Sequence, residues 1–217
     1  MSKFISRPWP MAFVVLFAAC SQAAGLPNPK VDTALAAGPT QTVVFAGGCF
    51  WGIQAVFKHV KGVTKATSGY SGGAASTAEY EVVSTGTTGH AESVQVVYDP
   101  SKVTFGQLLK VFFSVAHDPT ELDYQGPDHG TQYRSVIFFA TAEQQRVAQA
   151  YIAQLQAAHV FGSPIVTEVT ALKAFCAAED YHQDYAEHHP DEPYIAHNDL
   201  PKLAALKKQF PELYVGG

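Results

Sequence analysis

Thr42-Val43-Val44-Phe45-Ala46-Gly47-Gly48-Cys49-Phe50-Trp51-Gly52-Ile53-Gln54-Ala55-Val56-Phe57-Lys58-His59-Val60 reads as a strand that turns through two glycines into a helix. The first five residues form a short apolar run of the kind found in a buried strand, and Gly47 and Gly48 let the backbone turn sharply. Cys49 follows at the helix mouth. There the first N–H groups lack intrahelical partners and the helix dipole favours an anion, so the thiol is expected to ionise below the roughly 8.5 of a free cysteine. Phe50 and Trp51 put apolar walls beside the sulfur. The bland alternative is a small buried cysteine in a glycine-rich turn; the flanking glycines and paired aromatics favour the reactive thiol.

Downstream, short β-like segments are predicted at Val63 to Ser68, Glu81 to Ser84 and Ser93 to Tyr98, where Val94, Val96 and Tyr98 alternate with Ser93, Gln95 and Val97. Thr104 with Gln107 three residues later forms a capping box ahead of Leu108, Leu109, Phe112 and Phe113. Ser135 to Phe139 is a buried-strand run, and Thr141 with Gln144 caps a long helix through Ala158, stopped by Gly162 and Pro164. A strand over Ile165 to Val169 and a polar, helical Glu179 to His189 follow; from about Asp199 a helical tail to Phe210 aligns Leu203, Leu206 and Phe210. Strands and helices mix without regular alternation. The expected fold is a single α+β domain: a two-layer, mixed or antiparallel sheet with packed helices, related to ferredoxin-like β-α-β-β-α-β topologies.

Upstream, residues 1–24 read as an export signal, with Lys3 and Arg7 before the short apolar core Met11 to Ala19. This core is too short for a spanning helix. Phe17-Ala18-Ala19-Cys20 resembles a lipoprotein cleavage box that would make Cys20 a lipidated first residue, whereas Ser21-Gln22-Ala23 resembles an ordinary cleavage site. Either route places the folded part in the periplasm or cell envelope, with a lipid anchor the only membrane contact. Residues 25–40, rich in Pro, Ala and Gly, read as a linker, and 41–217 as one domain. A net charge of −5, a pI near 5.9 and no basic-aromatic stripe argue against nucleic-acid binding. Of three cysteines, Cys49 and Cys176 fall in the domain, where a redox pair competes with a structural disulfide.

Two loops are dense in titratable groups. Tyr80-Glu81-Val82-Val83-Ser84 leads to His90-Ala91-Glu92, and His117-Asp118-Pro119-Thr120 leads through Asp128-His129-Gly130-Thr131-Gln132-Tyr133-Arg134 into the next strand. Loops carry function more often than cores do. Taken singly, Glu92 reads as a solvated strand start, Tyr80 as a packing residue and Asp128 as a turn former. His182, His188 and His189 read as a wet helix face, because their spacing misses the i, i+4 pattern of a helical metal pair.

In combination these motifs resemble the A-type peptide methionine sulfoxide reductases. The likeness runs through Gly47 to Gly52, Ser68 to Gly73, Tyr80 with Thr88 to Glu92, His117 to Thr120, Gln125-Gly126 with Asp128 to Ser135, and Ala178 to Gln183, in order. It implies Cys49 as nucleophile and Phe50 and Trp51 as walls around the substrate methyl. It further implies Glu92 as proton donor to the sulfoxide oxygen, with Tyr80, Tyr133 and Asp128 as hydrogen-bonding support. The implied substrate is methionine S-sulfoxide in oxidised proteins or peptides, with no bound cofactor or metal and an external thiol, thioredoxin-like or dithiothreitol, as reductant. Sulfoxide oxygen leaves only when protonated, so a glutamate must be raised from about 4.3 by roughly two units or more, through burial.

Family members often carry a resolving cysteine in a glycine-rich tail; this tail has none. Cys176 stands where relatives more often have an aromatic residue, and it is a candidate resolving thiol beside the Glu179 and His182 motif, the alternative being a bystander with direct reduction of Cys49. Two other readings compete: an acyl hydrolase pairing Cys49 with His90, and a non-catalytic envelope protein with an aromatic ligand pocket.

Overall fold

The computed structural model describes residues 25–216. In chain order it runs β1 (Gln41–Ala46), α1 (Phe50–Lys58), β2 (Val63–Ser71), α2 (Tyr80–Val83), β3 (Ala91–Tyr98), α3 (Phe105–Val111), β4 (Tyr124–Gln125) and β5 (Asp128–His129). It continues through β6 (Val136–Phe139), α4 (Ala142–Ala157), β7 (Glu168–Ala171), β8 (Cys176–Ala177), α5 (Tyr185–His188) and α6 (Leu200–Gln209). Six strands pair in the order β7-β6-β1-β3-β2-β8, all antiparallel except β6 with β7, while β4 and β5 form a separate two-stranded ribbon. The segment β1-α1-β2-β3-α3-β6 yields the order β6-β1-β3-β2, which is the ferredoxin-like arrangement expected from the sequence; β7 and β8 extend its edges.

Period-two alternation divides β1 between two layers. Val43 and Phe45 join the main core beneath the helices, whereas Val44 and Ala46 face a smaller cluster with Val136 and Phe138, covered by Leu172 and Phe175. Phe45 stacks on Phe57 of α1 at 4.8 Å and on Phe112, just past α3, at 4.7 Å between centroids. This stack ties the first strand to both helices. Replacing Phe45 with Ala would cost about 3–5 kcal/mol.

The box at Thr104 is complete: its hydroxyl accepts from the Gln107 N–H at 3.1 Å and its own N–H donates to Gln107 Oε1 at 2.9 Å. Thr141 accepts from the Gln144 N–H at 3.2 Å, and α4 follows over almost the expected span.

Four expectations change. Glu81 to Ser84 is helical rather than extended, because the Tyr80 N–H is held by the Glu179 carboxylate at 2.9 Å and no strand lies alongside. The strand expected over Ile165 to Val169 begins later, at Glu168, since Val166 donates to the Pro119 carbonyl at 2.9 Å instead of entering the sheet. Glu179 to His189 is two short turns broken at Asp184, whose φ is +58°. The segment read as a linker has no helix or strand over 25–40, yet it is strapped to the domain. Leu26 and Val31 pack on the core, the Tyr151 hydroxyl donates to the Pro27 carbonyl at 2.8 Å, and the Asp32 carboxylate accepts from the Gly106 N–H at 2.7 Å. The expected export signal and Cys20 lie outside the described residues.

Candidate active site

Cys49 is the residue immediately before α1, and its side chain does not cap the helix. The turn that delivers it is built from below. Gly48 sits at φ +95° with the Gln125 side chain 2.7 Å from where a Cβ would be, and a Cβ on Gly47 would meet the His117 ring at 2.8 Å. His117 in turn stacks on Phe112 at 4.0 Å and bonds Ser135 Oγ at 2.7 Å. Burial pushes its pKa down to about 3. His117 and Gln125 therefore form the floor under the glycine turn.

Glu92, the second residue of β3, is 2% exposed, and its Oε2 accepts from the Phe50 N–H at 3.1 Å. Cys49, 7% exposed, and Glu92 open onto one cavity of about 250 Å³. Phe50, Trp51, Tyr80, Asp128 and Tyr133 line it with them, so every residue singled out for catalysis or substrate contact, Cys176 and Cys20 apart, arrives in one place. Tyr80 begins α2 under the grip of Glu179. Tyr133 follows Gly130, whose φ of +131° and closeness to the Gln132 amide would put any side chain there under strain.

Burial raises Glu92 from 4.5 to about 8; the charges of Asp128 and Asp199 add to the shift and the Phe50 N–H opposes it. A carboxyl so placed holds its proton at neutral pH. The expected low-pKa thiol is corrected. Burial above all, then the Glu92 and Asp199 carboxylates, push Cys49 well above the usual thiol range, and the Trp51 N–H and Lys202 pull it down less. The helix mouth acts as expected, but desolvation outweighs it.

The model of the peptide methionine sulfoxide reductase family matches residues 41–214. The peptide methionine sulfoxide reductase MsrA 2 of Mesorhizobium japonicum is 60% identical over 179 residues, 82% of this chain and 92% of that protein. Its namesake from Synechocystis is 51% identical over 190 residues, 86% of this chain and 89% of that protein. This chain belongs to the peptide methionine sulfoxide reductase family. It is an oxidoreductase that carries out thiol-dependent reduction of methionine sulfoxide. Solved structures share the fold: Mxr1 of Saccharomyces cerevisiae in reduced form has a TM-score of 0.65 at 31% identity, covering 74% of this chain and 91% of that one. Methionine sulfoxide reductase A of Corynebacterium diphtheriae has a TM-score of 0.61 at 35% identity, covering 77% and 83%.

The reductase uses His90 away from the thiol. Its Nδ1 accepts from the Gly73 N–H at 3.2 Å and its Nε2 donates to the Ala74 carbonyl at 2.9 Å, so both ring nitrogens hold a loop and the hydrolase pairing has no base. Cys176 is a free, half-buried thiol in β8, paired with Tyr70 of β2, which is itself paired with Glu92 of β3. A whole strand and the fully buried Tyr70 therefore lie between Cys176 and Glu92.

Sequence reasoning missed Tyr194, Glu192, Asp199 and His182. The Tyr194 hydroxyl donates to the Asp128 carboxylate, and Tyr194 and Glu192 complete the cavity wall. Asp199, 1% exposed and bonded to Lys202 Nζ at 3.1 Å, presses on α1 so closely that a Cβ on Gly52 would meet its Oδ1 at 2.1 Å. None of these three belongs to a sequence motif; the only cue was an aromatic and two acids in an otherwise plain tail. His182, read as part of a wet face, is 2% exposed against the cavity wall.

Proposed function

We propose that Cys49 is the nucleophile and Glu92 the general acid in reduction of methionine S-sulfoxide. Bound sulfoxide brings its positive sulfur to the Cys49 sulfur and its negative oxygen to Glu92, Tyr80 and Tyr133, so the charge that favours the thiolate arrives with the substrate. Cys49 bonds to the sulfoxide sulfur as Glu92 protonates its oxygen; the S–O bond breaks and that oxygen leaves as water. A water then attacks the Cys49 sulfur, giving a proton back to Glu92 and breaking the bond to the methionine sulfur so that methionine leaves. Cys49 is left as sulfenic acid, so sulfur of the substrate is reduced by two electrons and sulfur of the enzyme oxidised by two. Two external thiols, from a thioredoxin-like protein or dithiothreitol, return Cys49 to thiol with release of water and a disulfide. Phe50 and Trp51 enclose the methyl group. Asp128 and its partner Tyr194 hold the polar side of the cavity.

One observation carries the reading: a buried carboxyl, whose surroundings raise its pKa to about 8, is hydrogen-bonded to the residue next to Cys49 and opens onto the same cavity. Direct reduction of Cys49 is favoured over resolution by Cys176 because β2 lies between the two. Treating the reduced enzyme with one equivalent of the S epimer, without reductant, is expected to release one methionine and add one oxygen to Cys49, removing one free thiol. No methionine overturns the assignment, and loss of two thiols with a Cys49 to Cys176 bridge overturns the direct route. Residues 1–24 are an export signal, and the enzyme works on oxidised proteins in the periplasm or cell envelope. The mass of the mature N-terminus separates an acylated Cys20 from an unmodified start near Ala24, and a cytoplasmic full-length chain overturns export. Both methionines of the chain, Met1 and Met11, lie in that signal, so the exported enzyme would carry no copy of its own substrate residue.

A further inference from the structure

We infer that Glu192 sets a charge preference for the substrate chain, drawing in methionine sulfoxide that has lysine or arginine beside it and turning away sulfoxide beside acidic residues. The inference rests on the cavity reading above and narrows its substrate class. The cavity of about 250 Å³ is smaller than the roughly 300–1,000 Å³ that engulfs a drug-sized ligand, so it takes one side chain and leaves the peptide on either side at its rim. Successive residues of an extended chain lie about 3.3–3.6 Å apart, so the nearest neighbours of the sulfoxide hang over the residues that form the mouth.

Three carboxyls line the cavity, those of Glu92, Asp128 and Glu192, and among the described residues no lysine, arginine or histidine lines it with them. The three are held differently. Glu92 is buried, bonded to the Phe50 N–H, and neutral at pH 7 with its pKa near 8. Asp128 accepts from the Tyr194 hydroxyl, and burial raises its pKa as well. Lys202, whose charge acts on Asp128, is already bonded to Asp199 at 3.1 Å. Glu192 is only half-buried and makes no ion pair among the described residues. It is therefore the carboxylate at the mouth whose charge is left to act on a passing chain.

Glu192 is also fixed in place. Its N–H donates to the His189 carbonyl at 3.1 Å, and its carbonyl accepts from the Ala196 N–H at 2.9 Å. Its carboxylate sits by the Tyr185 hydroxyl, whose pKa it raises, and Tyr185 stacks on Trp51 at 4.0 Å between centroids. Two residues further on, Tyr194 meets the same indole edge-on at 6.0 Å. The charge thus stands on the indole side of the mouth, held by its backbone and by an aromatic neighbour.

The test uses the full-length chain and two acetylated, amidated peptides that differ only in the residues flanking one methionine S-sulfoxide, lysine in one and glutamate in the other. An exposed attraction in one and an exposed repulsion in the other should together favour the lysine peptide about tenfold in kcat/KM. The flanks do not touch the reacting atoms, so the difference should lie in KM, with the same kcat for both peptides. In 1 M salt, where the screening length is about 3 Å, the ratio should fall toward one. Glu192→Gln should bring the ratio near one at low salt, and Glu192→Lys should reverse it. Each ratio compares two peptides on one enzyme, so a general loss of activity in a variant cancels. Should a variant not fold, the salt dependence of the parent still decides. A ratio of one in the parent, a ratio that salt leaves unchanged, or the same preference in Glu192→Gln overturns the inference. Those outcomes leave the Cys49 and Glu92 assignment standing, since both peptides still release methionine; release from neither overturns that assignment and this inference with it.

Discussion

The N-termini of α1 and α3 are built from the same backbone and finished in opposite ways. At α3 three early N–H groups are taken up by side chains: Phe105 by Thr33 Oγ1 at 3.1 Å, Gly106 by Asp32 at 2.7 Å, and Gln107 by Thr104 at 3.1 Å. At α1 the residue before the helix offers no cap, and one carboxyl from a distant strand takes the Phe50 N–H. A filled helix end lends its donors to stability, whereas an unfilled one leaves them to act on whatever charge forms nearby. In the proposed mechanism that charge forms on Cys49, and burial of Glu92, the neighbour that would repel it, raises its pKa to about 8 so that it is neutral at pH 7.

Breaking the open end should abolish chemistry and spare the fold. Cys49→Ser should release no methionine in a single turnover, with a Tm no lower than that of the parent; measurable turnover would remove the contrast. Glu92→Gln keeps shape and loses the proton, so kcat/KM should fall by about 10²-fold or more. In the parent, activity should decline as pH rises through about 8, where Glu92 ionises, and the variant should lack that limb. The stability sign is opposite. Folded Glu92 keeps its proton up to about 8 while the unfolded chain loses it near 4.5, so the unfolded state binds fewer protons in between and stability falls as pH rises through that window. Thermal melts of Glu92→Gln should therefore match the parent near pH 4.5 and exceed it at pH 8.

At the closed end the effects reverse in kind and shrink in size. Asp32→Ala removes the acceptor of the Gly106 N–H and of the Thr104 hydroxyl at 2.6 Å, and should cost about 2 kcal/mol by denaturant unfolding with kcat unchanged. Thr104→Ala takes away half of the capping box and should cost about 1 kcal/mol. Loss of activity in either variant without loss of stability would show that the two helix ends are coupled.

The two ends were also unequally legible. Thr104 and Gln107 announce a cap three residues apart, and the Gly47-Gly48-Cys49 turn announces a helix mouth, because both depend on neighbours along the chain. The strap was not legible. Asp32 and Thr33 sit in a Pro- and Ala-rich stretch with no period, and their partners lie more than seventy residues ahead. His182 escaped for a related reason: its segment is polar and reads as surface, and only the folding of Tyr80, Trp51 and Tyr181 around it makes it dry.

Residue order alone determined the strand-to-helix turn, the alternation that sends Phe45 and Val94 into one core, and the set of groups able to run sulfoxide chemistry. Only the tertiary structure decided their charge states. A pKa at Cys49 or Glu92 is set by how much water the whole fold removes and by which carboxylates it brings alongside, and neither quantity is a property of neighbours in the chain. The resting thiol was misjudged on that ground, since the helix mouth could be read locally and the desolvation that overrides it could not.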